Sequence, residues 1–373
     1  MQKWHHRLFA LVGFGVFAAT LHQPPIAVAA DPKSPAVTDP ALADSDYRMQ
    51  GEYYGHVPSA PCCETAIGLQ VIALGGGKFD AIQFAGGLPG NAWNRRDKLA
   101  LKAELKGGRL TLIGDTHQFV IRGAGADVFD KFGRPLGRLQ QVIRESPSLG
   151  ACPPTGALVL FDGTSADHFV NGKVTEQGLL AEGADTKQSF GDFFLHLEFQ
   201  TPYMPQARGQ GRGNSGIYIQ GRYEVQVLDS FGLKGEDNEC GGVYKTKAPD
   251  LNMCLPPLVW QSYDIHFTAP KFDKAGKKTA NARLTVRHND VLVQNDIELP
   301  NKTGGGSVEG PDRRPLKLQN HGNPVRFRNI WMIENPANDM CPPNDSLTAS
   351  GRHDRPPFGE RVVWHDVNRL AGP

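Results

Sequence analysis

Short stretches in which apolar and polar residues alternate run through most of the chain. Between residues 44 and 148 they include GLQVIAL, KFDAIQFAGG, RLTLIG and HQFVIRG, separated by glycine-containing turns. Alternation with a period of two is typical of a strand with one buried face, and glycine clusters between such stretches indicate turns. The pattern therefore predicts a small all-β domain over residues 44–148.

A second region with the same pattern runs from LVLFDGTSADHF, which begins at residue 158, to FRNIWMIEN. In FFLHLEFQ the alternate apolar residues should enter a core, while His196 and Glu198 should form a solvated pair on the outer face. RFRNIWMIE predicts a last strand with Phe327, Asn329 and Trp331 on one face. No amphipathic helical pattern separates these stretches. We therefore predict an all-β fold, a two-sheet sandwich or jelly roll over residues 157–335 preceded by the smaller β domain.

The segments outside these two regions have a different composition. SPSLGACPPTGA, residues 146–157, is a predicted linker because prolines and small residues interrupt every period. Residues 336–373 have too few periodic apolar positions to build a core. We expect an irregular C-terminal tail there, one that wraps the preceding domain or is partly disordered.

The first 30 residues have the organisation of a signal peptide. MQKWHHR is basic and polar, LFALVGFGVFAATL is apolar, and AVAAD offers small residues for cleavage after Ala29 or Ala30. The apolar run is shorter than the ~20 residues that span a bilayer, and no second run of that length follows. We expect a periplasmic or secreted protein whose mature chain does not insert into a membrane.

The charge composition argues against a charged partner. The 373 residues include 40 Lys and Arg against 39 Asp and Glu, and no long block of one sign occurs. Nothing therefore draws the chain electrostatically to nucleic acid or anionic lipid. We expect a neutral partner and no binding to nucleic acid.

All six cysteines follow the predicted cleavage point, where an even number favours disulfides over metal binding. Cys240 and Cys254 bracket the loop GGVYKTKAPDLNM, and we expect these two to pair. Adjacent Cys62 and Cys63 would form a strained ring if joined to each other. At least one of them should pair with Cys152 or Cys341.

The stretch RYEVQVLDSFG, residues 222–232, places acids in a predicted strand. NSGIYIQGRYEVQV indicates a hairpin with Gly221 and Arg222 in a type II′ turn, so Glu224 and Gln226 share one strand face. Asp229 joins them only if a bulge follows Gln226. Glycines on both sides would let a ligand approach the backbone, which favours a functional site over a solvated face.

The residues that carry a family resemblance lie in three blocks: NSGIYIQGRYEVQVLDSFG, then PPLVWQSYDIHFTAPKFDKAGKKTANARLTVRHNDVLVQNDIELP, then LKLQNHGNPVRFRNIWMIE. They occur in this order and resemble the 3-keto-disaccharide hydrolase family over about residues 157–335. The resemblance implies a concanavalin A-like jelly roll with a concave sheet that faces an oligosaccharide or glycoside. The N-terminal β domain lies outside it and receives no assigned chemistry.

The E-x-Q-x-x-D arrangement is also similar to the E-x-D-x-x-E strand of laminarinase-type glycosidases. Two residues depart from that pattern. Gln226 replaces the middle acid, and Asp229, with its shorter side chain, replaces the last glutamate. The resemblance therefore does not predict the pair of carboxylates that a retaining displacement needs.

The family resemblance implies chemistry at a sugar that carries a ketone. A ketone at carbon 3 acidifies the proton at carbon 2, so a base can remove that proton, an acid can help to expel the glycosidic oxygen, and water can add afterwards. Glu224 is the candidate base, His321 the candidate proton donor or metal ligand, and Asp229 the third catalytic candidate. The candidate substrate-binding residues are Gln226, Asn214, Tyr244 and Trp260.

Two alternative functions stay open at this point. One is a conventional glycosidase with Glu224 and Asp229 as its two carboxylates, and the other is a carbohydrate-binding module without catalysis. No cofactor is predicted. Glu224, Asp229 and His321 together would nevertheless offer oxygen and imidazole ligands to a divalent cation.

Overall fold

The computed structural model describes residues 35–60 and 62–336. Helix in these residues is limited to α1 (Ser45–Met49) and two short 3-10 helices, Pro40–Leu42 and Gly209–Gly211. The strands are β1 (Gly51–Ala60), β2 (Cys63–Gly75), β3 (Lys78–Ala85), β4 (Lys98–Lys106), β5 (Arg109–Ile113), β6 (His117–Arg122), β7 (Gly125–Asp130), β8 (Pro135–Val142), β9 (Leu158–Phe161), β10 (Phe169–Val170), β11 (Leu180–Ala181), β12 (Ala184–Phe190), β13 (Phe193–Gln200), β14 (Ser215–Ile219), β15 (Tyr223–Val227), β16 (Gln261–Thr268), β17 (Lys271–Phe272), β18 (Lys278–Ala280), β19 (Ala282–His288), β20 (Val291–Leu299), β21 (Arg314–Leu318) and β22 (Arg326–Glu334).

The first eight strands form a closed antiparallel barrel, because β8 pairs with β1 as well as with β7. Its interior is filled by apolar side chains such as Leu69, Phe119 and Leu139. Gly76 and Gly77 both have positive φ and turn β2 back into β3, a conformation that glycine adopts without steric cost. The inward-facing residues of the alternating stretches thus build one packed core.

The later strands form two antiparallel sheets that pack as a sandwich. One has the order β10-β12-β21-β14-β15, and the other has the order β11-β22-β13-β16-β19-β20 with β9 beside β22. Phe193, Leu195, Leu197 and Phe199 of β13 enter the core between the sheets, as predicted. The predicted all-β class, a sandwich preceded by a smaller β unit, is confirmed.

The five-stranded sheet has one apolar face and one polar face. Ile217, Val225 and Leu318 belong to the apolar face and pack in the sandwich core. Because successive side chains of a strand point to opposite faces, the residues between them form the second face. Glu224 and Lys317 lie on this polar face.

The alternation predicted for the last strand is wrong. Asn329 has a left-handed backbone (φ 46°) where the register between β13 and β22 shifts. The shift brings Phe327 and Ile330 into the core together, while Trp331 lies outside it against the ring of His196. A bulge adds one residue to a strand, and so it changes the face on which each later side chain lies.

The hairpin turn after β14 lies one residue earlier than predicted. Gln220 (φ 51°) and Gly221 (φ 59°) are its central residues, and the Arg222 amide donates to the Ile219 carbonyl at 2.9 Å. Two central residues with positive φ are the pattern of a type I′ turn, whose twist matches that of the flanking strands.

His196 and Glu198 point out of the sandwich, but they are fully buried rather than solvated. Residues 146–152 cross over them. The Gly150 amide donates to Glu198 Oε1 at 2.5 Å, and Arg328 Nε donates to Glu198 Oε2 at 2.6 Å. His196 Nδ1 lies 2.7 Å from Asp264 Oδ1. The prediction of a solvated pair is wrong because the predicted linker binds to this sheet through a buried ionic network.

The barrel packs directly against the sandwich. Ile72 of the barrel joins the sandwich core, and Tyr203 and Leu258 of the sandwich region join the barrel core. Gly232 (φ 73°) approaches Ile72 so closely that an added Cβ would stand 2.4 Å from Ile72 Cδ1. Glycine at position 232 is therefore required by both the backbone conformation and the contact.

Cys240 and Cys254 are buried free thiols, so the predicted disulfide between them is not formed in the described residues. Cys240 Sγ lies 3.1 Å from the Tyr263 hydroxyl, and Cys254 Sγ lies 3.4 Å from the Leu228 carbonyl oxygen. Cys62, Cys63 and Cys152 are likewise free and are exposed.

Several predictions lie outside the described residues. These are the signal peptide over residues 1–30, any pairing of Cys341, and the C-terminal tail beyond residue 336. Among residues 35–60 and 62–336, none of the helices has the length and apolar character needed to cross a membrane.

Candidate active site

A row of four polar side chains crosses the polar face of the five-stranded sheet. Asp185 of β12 is paired with Lys317 of β21, Lys317 with Tyr218 of β14, and Tyr218 with Glu224 of β15. Residues paired across neighbouring strands have their side chains on the same face and within contact range. Strand register alone therefore places a phenol beside Glu224 and, further along the row, a lysine and a second acid.

Glu224 has a buried carboxyl group whose ionisation is perturbed. Its side chain is 2% exposed and is hydrogen-bonded to that of Tyr218. Burial raises the pKa of Glu224 to about 7, and this rise is opposed by the Tyr218 hydrogen bond and by the nearby charge of Lys317. A carboxyl with a pKa near the working pH is suited to take up and return a proton.

The space for the Glu224 carboxyl is provided by a glycine. Gly216 is paired with Gln226 on the neighbouring strand, and an added Cβ at position 216 would stand 2.3 Å from Glu224 Oε1. Gln226 lies on the same face as Glu224. With its amide nitrogen toward the acid, it donates to Glu224 Oε1 at 3.1 Å and to the Ser215 carbonyl at 3.0 Å.

Two loops close over this end of the sheet. Thr303 Oγ1 accepts a hydrogen bond from the Glu224 amide at 3.0 Å, and the Tyr244 amide donates to the Glu224 carbonyl at 3.0 Å. Gly305 lies so near Tyr218 that a Cβ there would stand 2.4 Å from the Tyr218 hydroxyl oxygen. Contacts from both loops thus position the strand that carries Glu224.

A cavity of about 420 Å³ opens on this face. Its wall includes Tyr218, Lys317 and Gln319 from the sheet and Gly305 and Ser307 from the loop. Pockets of roughly 300 to 1,000 Å³ hold small ligands, so the volume suits one or two sugar rings. Tyr218 lines the cavity and hydrogen-bonds Glu224, and it therefore connects the buried carboxyl to the open space.

The structure does not bring the three catalytic candidates together. β15 ends at Val227, and the Asp229 carboxylate instead accepts a hydrogen bond from Arg212 Nε at 2.6 Å in a buried ion pair. His321 is exposed in the turn between β21 and β22, and the described residues give it no hydrogen bond or ion pair. Glu224 is thus the one catalytic candidate in the polar row.

The substrate-binding candidates are divided between the two faces of the sandwich. Gln226 lies beside Glu224 on the same face, and the Tyr244 amide donates to the Glu224 carbonyl at 3.0 Å. Asn214 is buried behind this row, where its Nδ2 donates to the Gln210 carbonyl at 2.7 Å. Trp260 immediately precedes β16 of the other sheet, and the Arg328 guanidinium stacks 4.0 Å from the centre of its ring.

The residues that sequence reasoning missed are Tyr218, Lys317, Gln319 and Asp185. Tyr218 and Lys317 stand at alternate positions of apolar strands, in GIYIQ and PLKLQ, which marks them as outward-facing. This pattern gives the face of each residue, but only the strand order shows that β14 and then β21 follow the strand of Glu224 in the sheet.

Within the part of the chain that the structure describes, no three His, Cys, Asp or Glu side chains are grouped so that they could hold a metal ion. The proposed set of Glu224, Asp229 and His321 is dispersed, because Asp229 pairs with Arg212 and His321 is exposed.

Comparison with known proteins identifies the family. Residues 156–333 match the model of the 3-keto-alpha-glucoside-1,2-lyase-like domain. No curated protein matches the chain.

Three solved structures from Parabacteroides distasonis ATCC 8503, each described as a "putative glycosyl hydrolase", are similar to it. The first is 36% identical, with 48% of this chain and 84% of that chain covered and a TM-score of 0.44. The second and third are 16% and 19% identical; each covers 48% of this chain, with 94% and 98% of their own chains covered and TM-scores of 0.37 and 0.35.

The matched region contains every strand of the five-stranded sheet, and with them the polar row and its cavity. The match supports a carbohydrate-active function. Residues 156–333 thus form a domain of the 3-keto-alpha-glucoside-1,2-lyase-like family.

Proposed function

We propose that this protein cleaves the glycosidic bond of 3-keto-glycosides by elimination followed by hydration. The observation that carries the proposal is a buried carboxyl with a pKa of about 7, that of Glu224, connected by Tyr218 to a sugar-sized cavity. The family match and its description support the same chemistry.

The elimination needs one base rather than a pair of carboxylates across the bond. Glu224 takes the proton from carbon 2, which the neighbouring ketone acidifies, and the glycosidic oxygen leaves from carbon 1. Tyr218, hydrogen-bonded to Glu224, passes a proton to the leaving oxygen. The proton removed at carbon 2 thus returns to the departing alcohol, and water then adds to the unsaturated sugar.

The polar row does not favour a conventional two-carboxylate glycosidase. The carboxylate of Asp229 already forms an ion pair with Arg212. Asp185, the other acid of the row, is three strand intervals from Glu224, or about 14 Å at ~4.8 Å per interval. The carboxyls of retaining and inverting glycosidases stand roughly 5 to 9.5 Å apart.

The direct test is turnover of a 3-keto disaccharide and of its unoxidised parent by the same protein. We expect cleavage of the keto sugar alone, with an unsaturated keto sugar as the first product. Equal cleavage of both sugars would indicate a conventional glycosidase. Binding of either sugar without any turnover would indicate a carbohydrate-binding module.

The rate should rise with pH around neutrality. Only the ionised Glu224 can accept the carbon 2 proton, and its pKa of about 7 means that the ionised fraction grows from about a tenth at pH 6 to about nine tenths at pH 8. We expect kcat/KM for the keto sugar to follow this curve and then level off. A profile that is flat from pH 6 to 8 would show that Glu224 is not the base.

Replacing Gly216 by Ala should lower activity without unfolding the protein. The added methyl would collide with Glu224 Oε1 and displace the carboxyl by about 1 Å, a displacement that costs on the order of 10²-fold in rate. Gly211→Ala is the matched control, since a Cβ there meets no atom within 4 Å. Equal activity of the two variants would contradict the assigned position of the carboxyl.

A further inference from the structure

The cavity contains a cation that the proposed proton transfers do not use. Lys317 is exposed on the cavity wall and, among the described residues, has no ion pair or hydrogen bond. The other cation of the wall, Arg314, is engaged: its Nε donates to Asp312 Oδ2 at 2.7 Å. Lys317 is therefore the wall cation that is free to meet a developing negative charge.

The side chain of Lys317 reaches toward the strand of Glu224. Its Nζ lies 5.9 Å from the centre of the Tyr218 ring, and Tyr218 stands between Lys317 and Glu224 in the polar row. The ammonium is near enough to lower the pKa of Glu224. A sugar in the cavity would thus contact Lys317 and Tyr218, and Tyr218 would connect it to Glu224.

Proton removal from carbon 2 is favoured by such a cation. The electron pair of the broken carbon–hydrogen bond forms a carbon 2–carbon 3 double bond, and the ketone oxygen at carbon 3 becomes an enolate anion. Electrostatic groups that are in place where charge develops contribute strongly to catalysis because they act mainly in the transition state. Nothing else on the described cavity wall offers an uncommitted positive charge to that oxygen.

We propose that Lys317 is a catalytic residue whose ammonium group stabilises the enolate oxygen at carbon 3. This inference rests on the proposed function. The enolate then collapses: the carbon 3 ketone re-forms, a carbon 1–carbon 2 double bond appears, and the glycosidic bond breaks. The leaving oxygen takes the proton that Glu224 removed, through Tyr218, so the elimination needs neither an oxidant nor a reductant.

The test compares Lys317→Met and Lys317→Arg with the wild-type protein on a 3-keto disaccharide. Lys317→Met should lower kcat by about 10²- to 10³-fold while KM changes little, because the lost interaction forms mainly in the transition state. Lys317→Arg keeps the charge and should recover part of the loss. Lys102→Met, which removes an exposed lysine of the barrel, should leave kcat unchanged.

A second readout separates catalysis from structure. Since Lys317 lowers the pKa of Glu224, its removal should move the pH dependence of kcat/KM toward higher pH, and Lys317→Arg should move it little. A kcat for Lys317→Met equal to that of the wild type, or equal losses of kcat in the Met and Arg variants, would overturn the inference about Lys317. In either case, turnover of the keto sugar by the wild-type protein would still support the proposed function. No wild-type turnover of the keto sugar would overturn both.

Discussion

Glu224→Gln should lower kcat on a 3-keto disaccharide by about 10²- to 10⁴-fold, which is the contribution of a general base. The amide keeps the size of the side chain and can still hydrogen-bond Tyr218 and Gln226, but it cannot accept the carbon 2 proton. Steady-state kinetics at pH 8, where the wild-type carboxyl is mostly ionised, gives the measurement. Deuterium exchange at carbon 2 of the substrate in D₂O should be lost in parallel.

Glu104→Gln is the matched control for this substitution. Glu104 is exposed on β4 of the barrel, far in the fold from the polar row, and its replacement should leave both kcat and exchange unchanged. Undiminished turnover in Glu224→Gln would remove Glu224 from the mechanism. Loss of turnover with exchange retained would instead assign Glu224 to expulsion of the leaving group.

His196→Leu should lower the free energy of unfolding by about 3 to 5 kcal/mol, the usual cost of removing one partner from a buried ionic group. His196 is fully buried, bonded to Asp264, and 3.7 Å from Glu198 Oε1 through its Nε2. Burial alone would lower the pKa of His196, but the two carboxylates raise it to about 9. The variant therefore leaves two acids without the cation between them.

The measurement is urea unfolding of both proteins across pH. His56→Leu, at an exposed position of the barrel, is the control and should change stability by less than about 0.5 kcal/mol. If His196→Leu unfolds at the same urea concentration as the wild type, the network contributes nothing to stability.

The pH dependence of this difference follows from the two shifted groups. His196 has a folded pKa of about 9 against its ordinary 6.5, so its contribution is full below about pH 6.5 and is lost as pH rises through 9. Burial tends to raise the pKa of Glu198, yet hydrogen bonds from His196 and Asn329 lower it to about 2 from 4.5. Its contribution is full above about pH 4.5 and is lost as pH falls through 2. The stability difference should therefore be largest between about pH 4.5 and 6.5.

The alternation of apolar and polar residues was enough to determine the fold class and the face of most strands. It placed Phe193 and Leu195 in the core and put Glu224 and Gln226 on one face, because a side chain's face follows from its position along a regular strand. These features depend on contacts between residues near one another in sequence.

Alternation failed where a feature depended on a distant segment. The bulge at Asn329 broke it in β22, and residues 146–152 buried His196 and Glu198, which the local pattern treats as solvated. The local pattern predicts Asp229 as a site residue, whereas its carboxylate forms a buried ion pair with Arg212.

The composition of the candidate site was decided by tertiary structure. Lys317 is about a hundred residues from Tyr218 along the chain, yet strand order pairs the two in the row that ends at Glu224. No local pattern encodes which strands pair, because pairing depends on how the whole sandwich packs. The sequence alone thus determined that Glu224 leaves the core face of its strand, and only the packed sandwich decided that a phenol stands next to it and a cation one strand further along.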